Sequence, residues 1–224
     1  MLLIDKPSGW TSFDVVNFVR KQVAVIEGKK PKNTKVGHTG TLDPLATGLL
    51  VLLIGKDYTR RATELTKLDK VYEVTMKLGE TSSTGDAEGE KTIVSSKQPT
   101  LTDVEDALAN FTGEIMQTPP IFSAMKINGQ RAYKLAREGK EVRLEARPVH
   151  IYKNVLTKYE YPYVYFATEV GSGTYVRSLV EDLGEALGTG AYMSDLRRIQ
   201  VGSFFVADAH QVTDPDLPSY VRTL

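Results

Sequence analysis

Leu49 to Ile54 is an unbroken apolar run bounded by Gly48 and Gly55, a pattern that predicts a central strand buried on both faces. The segment "DKVYEVTMKLG" behaves differently. Val71, Glu73, Thr75 and Lys77 alternate with Tyr72, Val74, Met76 and Leu78, as a half-buried strand requires. "LLID" followed by Lys6-Pro7-Ser8-Gly9 predicts a short first strand entering a turn. Phe13, Val16, Val19 and Val23 then recur with the helical period, so a helix capped by Thr11 or Ser12 is expected, ending at Gly28. A second helix is expected from Thr102, through a capping box with Glu105, to Gly113. "RAYKLAREG" predicts a short helix ended by Gly139, and "GSGTYVRSLVEDLGEALG" one capped by Thr174 and closed around Gly184–Gly188. Two strands are expected on either side of Glu160–Pro162 and another in "LRRIQVGSFFV". "ETSSTGDAEGEK" is too long and polar for a tight hairpin turn and predicts a mobile connection. Strands and helices mix without a regular βαβ alternation and without internal repeats, which favours an α+β fold with a largely antiparallel sheet flanked by helices and loops.

Composition narrows the chemistry. The chain contains no cysteine, which excludes disulfides, thiolate metal sites and cysteine nucleophiles. Its three histidines, His38, His150 and His210, are far apart in sequence, so no transition-metal site is expected. The longest apolar run is far short of the roughly 20 residues of a membrane span, and "MLLIDKPSGW" lacks the basic and apolar regions of a signal peptide. A cytoplasmic protein with no membrane association is expected.

Formal net charge is zero, with 28 basic and 28 acidic residues, but the distribution is uneven. Lys21, Lys29, Lys30, Lys32 and Lys35 are accompanied by Glu27 alone, and between Lys126 and Arg147 seven basic residues face three acidic ones. Two locally basic segments on a neutral chain are compatible either with a positive face or with ordinary solvated loops.

The segment "VGHTGTLDPLATGLL" places Asp43 among glycines, threonines and a proline. Pro44 biases Asp43 toward an extended backbone, while Gly37, Gly40 and Gly48 permit sharp turns and close approach of another molecule. Local amide capping by Asp43 is equally compatible with these residues. No phosphate-binding loop is present, because no glycine–lysine–serine/threonine follows.

"GHTGTLDPLATGLL" resembles the signature of the bacterial tRNA pseudouridine-55 synthase family, TruB. The likeness continues in order through "LLIDKPSGWTS", "KVYEVTMKLGETSSTGDAEG", "TPPIFSAMKINGQRAYKLAREG", "ARPVHIY", "GSGTYVRSLVEDLGEALG" and "LRRIQVGSF", from Leu2 to about Phe205. The resemblance implies a pseudouridine-synthase fold and cofactor-free conversion of the T-loop uridine of tRNA, with neither metal nor obligate protein partner, by a monomer. It implies one catalytic domain over 1–224, with an RNA-contacting insertion at about 117–147; the C-terminal PUA domain common in the family is not expected, since only about 20 residues follow "LRRIQVGSF".

By the same resemblance Asp43 is the catalytic aspartate, Tyr72 the aromatic that stacks on the target base, and Arg177 the guanidinium paired with the catalytic carboxylate. Tyr175 and Leu196 line the uridine pocket, and His38 belongs to an RNA-contacting loop. Lys126, Arg131, Lys134 and Arg137 are expected to touch phosphates of the T-arm stem-loop. These roles suit the chemistry. Moving a glycosidic bond from N1 to C5 requires the nucleotide to leave its stack, and an aromatic restores about 1–3 kcal/mol of lost stacking. A guanidinium keeps a carboxylate ionised in a dry pocket. The carboxylate serves as nucleophile toward base or sugar, or as base toward the C2′ proton, and the residues do not choose among these. A T-arm-binding folding factor and a synthase acting on another RNA are the alternatives.

Overall fold

The computed structural model describes residues 1–222 except 124, 128 and 141, all three of which lie in the expected insertion. The chain divides into two compact units: Met1–Glu73 with Leu196–Leu224, and Val74–Asp195.

The first unit begins with β1 (Leu2–Lys6) and α1 (Ser12–Ile26). Thr11 caps α1 through a reciprocal box in which its hydroxyl accepts from the Asp14 amide and the Asp14 carboxylate accepts from the Thr11 amide. A single 3-10 turn at Pro31–Asn33 leads to β2 (Val36–His38), and the glycine-rich segment then turns into β3 (Thr47–Ile54). Short helices α2 (Lys56–Arg60) and α3 (Ala62–Thr66) precede β4 (Lys70–Leu78). β3 is buried on both faces, as its apolar run requires. Leu50 and Leu52 join Leu2, Ile4 and the Val15, Val16, Val19 and Val23 face of α1. Leu49 and Val51 pack on the other side with Val201, Leu3 and Phe204.

The second unit continues β4 and adds a hairpin of β5 (Glu80–Ser82) and β6 (Lys91–Ile93). The connection expected to be mobile is instead pinned. Asp86, 3% exposed, accepts from the Thr84 hydroxyl at 2.5 Å and the Glu88 amide at 3.0 Å. Helix α4 (Leu101–Asn110) starts two residues before its expected position, because Thr100 and Asp103 form the capping box. That register buries Val104, Ala107 and Leu108. β7 (Gly113–Gln117) follows, then the small hairpin β8 (Lys126–Ile127) and β9 (Gln130–Arg131), and α5 (Ala132–Arg137).

β10 (Arg147–Glu160) and β11 (Tyr163–Val170) form the long antiparallel pair expected on either side of Glu160–Pro162. α6 (Val176–Ala186) has Tyr175, not Thr174, at its N-cap; the Thr174 hydroxyl donates to the Gly171 carbonyl instead. Gly184 lies inside this helix, where a Cβ would fall 2.3 Å from the Ala191 amide nitrogen. β12 (Ala191–Val201) closes the unit, whose sheet runs β12-β4-β11-β10-β7. α4 packs on β10 and α6, and the Asn154 amide holds the terminal carbonyls of Leu108 and Phe111, both at 3.0 Å.

Back in the first unit, the last residues of β12 are followed by β13 (Phe204–Phe205), β14 (His210–Gln211) and α7 (Leu217–Arg222). Its sheet runs β14-β1-β3-β12-β4, with β2 on β3 and β13 on β12. The β14–β1 and β3–β12 pairings are parallel, while β1–β3, β2–β3 and β12–β13 are antiparallel. The fold is therefore mixed α/β with a largely antiparallel sheet.

Candidate active site

The loop 39–46 that carries Asp43 hangs between β2 and β3, and backbone bonds fix both of its sides. Ser12 clamps it, its hydroxyl donating to the Leu42 carbonyl at 3.0 Å and accepting from the Leu42 amide at 2.8 Å. The Pro44 carbonyl accepts from the Gly9 amide at 2.9 Å and from the Lys6 ammonium at 3.2 Å. That ammonium, on a fully buried side chain, also donates to the carbonyls of Pro7 and Trp10. The "DKPSGW" turn is thus a bracket for the loop. The Ala46 amide closes a turn on the Asp43 carbonyl at 3.1 Å, and Asp43 itself is half-buried.

Beneath the loop lies Arg198, 1% exposed, whose guanidinium donates to the Leu49 carbonyl at 2.7 Å and the Gly40 carbonyl at 3.1 Å. Gly48, at φ +98°, meets the Arg198 backbone so closely that a Cβ would sit 2.3 Å from its carbonyl oxygen. Only glycine supplies both that dihedral and that approach. The neighbouring Arg197 forms a two-pronged ion pair with Asp5 at 3.0 and 2.8 Å, tying β12 to β1. His38 accepts from the Gly40 amide through Nδ1 at 3.2 Å. Burial, reinforced by the charge of Arg198, pushes the His38 pKa below its ordinary value, so its neutral form is favoured.

Sheet order places β3, β12 and β4 side by side in this unit. Leu196 and Arg198 project from one face of β12, and Tyr72, 8% exposed, shares the buried face of β4 with Lys70. The first unit therefore gathers His38, Asp43, Tyr72 and Leu196.

Tyr175, Arg177 and the basic quartet belong to the second unit. Gln117, 1% exposed, receives a bond from the Tyr175 amide at 2.8 Å and donates to the Tyr175 carbonyl at 3.1 Å. The Arg147 guanidinium lies 5.4 Å from the centre of the half-buried Tyr175 ring. Arg177 is buried; it donates to the carbonyls of Thr84 at 3.2 Å and Phe122 at 2.9 Å, and its Nε lies 3.8 Å from the Asp86 carboxylate. Lys126, Arg131 and Lys134 line one groove of about 620 Å³ together with Tyr133. Arg137 stacks instead on Tyr133, 5.6 Å from the ring centre. Among the described residues no group of three His, Asp or Glu could hold a metal ion, and no helix is long and apolar enough to cross a membrane.

The TruB family pseudouridylate synthase N-terminal domain matches residues 28–176, and the tRNA pseudouridylate synthase B C-terminal domain matches residues 177–222. The chain belongs to the TruB family of pseudouridylate synthases. It is 42% identical over 206 residues to the tRNA pseudouridine synthase B of Chlamydia felis, covering 92% of this chain and 84% of that protein. It is 46% identical over 227 residues to that of Clostridium novyi, covering 100% and 75%. Among solved structures, a Cbf5-Nop10-Gar1 complex superposes at a TM-score of 0.72 with 30% identity, covering 98% of this chain and 53% of that one. The TruB likeness accounts for the motif residues. It does not reveal the supports around them: Lys6, Lys70, Asp86 and Arg198 were not singled out by sequence. Only the paired arginines inside the apolar pattern "DLRRIQV" signalled that one of them must point inward.

Proposed function

We propose that this chain converts the T-loop uridine of tRNA, position 55, to pseudouridine, with Asp43 as the carboxylate on which the reaction depends. As a TruB-family enzyme it is a tRNA pseudouridine synthase. The reaction is an isomerisation: the C1′–N1 bond breaks, a C1′–C5 bond forms, C5 loses a proton and N1 gains one. No redox partner or group donor enters that balance.

The observation that carries the assignment of Asp43 is the construction of its loop. Two reciprocal bonds to Ser12, two donors on the Pro44 carbonyl and the Arg198 bond to Gly40 fix the backbone on either side of one acidic residue. Such a scaffold holds a reacting group in place without reorganisation during the reaction. In this reading Tyr72 stacks on the extruded base, Leu196 walls the pyrimidine from water, and His38 acts as a neutral imidazole in the RNA-contacting loop. The TruB resemblance assigns Tyr175 to the uridine and Arg177 to keeping the catalytic carboxylate ionised. Lys126, Arg131, Lys134 and Arg137 meet phosphates of the T-arm stem-loop. The enzyme works in the cytoplasm, as a monomer and without a cofactor.

The test is incubation with an unmodified tRNA transcript, followed by mapping of pseudouridine, with wild type beside Asp43→Asn. Wild type should modify position 55, and the variant should lose roughly four orders of magnitude in rate or more. Absence of product from wild type, or full product from the variant, overturns the assignment.

A further inference from the structure

The first basic segment of the sequence, Lys21 to Lys35, plays no part in the chemistry above, yet the structure folds it into a defined surface. In the first unit, α1 and the 3-10 turn at Pro31–Asn33 enclose an open groove of about 350 Å³. Arg20, Lys21, Lys32 and Lys35 line it, and no acidic side chain does. The nearby acids are engaged elsewhere: Asp14 in the α1 capping box, and Glu27 in an ion pair with Lys29 at 3.0 Å. Lys21, Lys32 and Lys35 have no ion-pair partner among the described residues, and all three are exposed.

The groove is also preorganised. The Arg20 guanidinium is held by the Asn17 side-chain oxygen at 2.6 Å and the Val36 carbonyl at 3.2 Å. The backbone beneath the lysines is tied by the Thr34 amide on the Pro31 carbonyl at 3.1 Å, and by the Gly55 amide on the Lys35 carbonyl at 2.8 Å. Clustered like charges in a concavity repel one another and add nothing to folding. A matching anion removes that cost. Val36, on the groove wall, opens β2, the strand that leads through His38 to the loop of Asp43. The groove is therefore joined to the reaction loop by one short strand of the same unit.

We propose that this groove is a backbone-phosphate site for the RNA substrate, separate from the groove of Lys126, Arg131 and Lys134. This rests on the reading of the chain as a tRNA-modifying enzyme. Lysines suit the role, since they meet phosphates as mobile point charges and carry no sequence information.

The experiment compares wild type with Lys21→Gln/Lys32→Gln/Lys35→Gln in the full chain. Arg20 is left intact because it braces β2. Binding of unmodified tRNA is titrated over a series of potassium chloride concentrations, and pseudouridine formation is followed at saturating tRNA. Loss of two to three phosphate contacts should weaken Kd by roughly tenfold or more at low salt. It should also flatten the slope of log Kd against log salt by about 2 to 3. The rate at saturation should stay at the wild-type value, the melting temperature should not fall, and the corresponding triple Arg variant should restore the slope. A Kd and slope equal to wild type would overturn the proposal. A wild type that makes no pseudouridine refutes the enzymatic reading instead, while the binding slopes still decide the groove.

Discussion

Lys70 gives the sharpest physical test of the ground beneath the reaction loop. It opens β4 with only 7% of its surface exposed, and its ammonium donates to the carbonyls of Thr66 and Leu68, where α3 ends. A Cβ on Gly40 would lie 4.0 Å from Lys70 Cε, which places this side chain directly under the Asp43 loop. Burial, with Arg198 nearby, pushes the Lys70 pKa down from 10.5 to about 8. Below pH 8 the folded and unfolded chains both carry the proton. Between about 8 and 10.5 only the unfolded chain does, so stability rises with pH across that window. At 1.36 kcal/mol per pH unit, the gap corresponds to about 3 kcal/mol, about three quarters of it gained by pH 10. Lys70→Met removes the titration. Urea unfolding of both proteins at half-unit steps from pH 7 to 10 should show wild type gaining about 2–3 kcal/mol relative to the variant. Any constant offset between them reports the lost bonds to Thr66 and Leu68 and does not affect the slope. Two curves parallel within about 0.5 kcal/mol would refute a desolvated ammonium at this position.

Two further substitutions probe each unit alone. Gly48→Ala combines an unfavourable dihedral at φ +98° with a Cβ 2.3 Å from the Arg198 carbonyl oxygen; it should destabilise by about 2–4 kcal/mol, and an unchanged urea midpoint would refute the close approach. Burial raises the pKa of Glu181, so its contribution to stability is fully present below the ordinary carboxylate range and declines as pH rises through the folded value. Glu181→Gln should remove that decline. Thermal midpoints measured between pH 4 and 7 should therefore fall less in the variant, and an equal fall in both proteins would contradict the burial.

Much of the fold was legible in the sequence because periodicity reports burial directly. The run around Leu50 and the alternation around Val74 each correspond to a strand with the expected faces. The capping box of α4 was read two residues late, since "TLTDVE" contains two overlapping frames and only packing of Val104 and Leu108 selects the earlier one. The Thr84–Asp86–Glu88 turn looked like a mobile connection because a satisfied polar network and a wet loop have the same composition. Motif strings pointed to Asp43, Tyr72 and Arg177, while the supports of the loop stayed hidden. Arg198 is held by backbone carbonyls distant in sequence and Lys6 reaches the loop through one, that of Pro44, and such acceptors are in place only once the strands have paired.

The chain order of the two units gives the parallel pairing of β3 with β12 a temporal meaning. Arg197 and Arg198 face Thr47 and Gly48 across about 150 positions of sequence. A ribosome emits the loop of Asp43 early, then the whole contiguous second unit, and only afterwards the strand end that supplies Arg198. Domains fold as units while synthesis proceeds, so the earlier unit waits without the Arg198 bonds to Gly40 and Leu49 until its last strand is made. A nascent chain therefore carries the reaction loop and its Ser12 and Lys6 bracket long before it carries the arginine that lies beneath them.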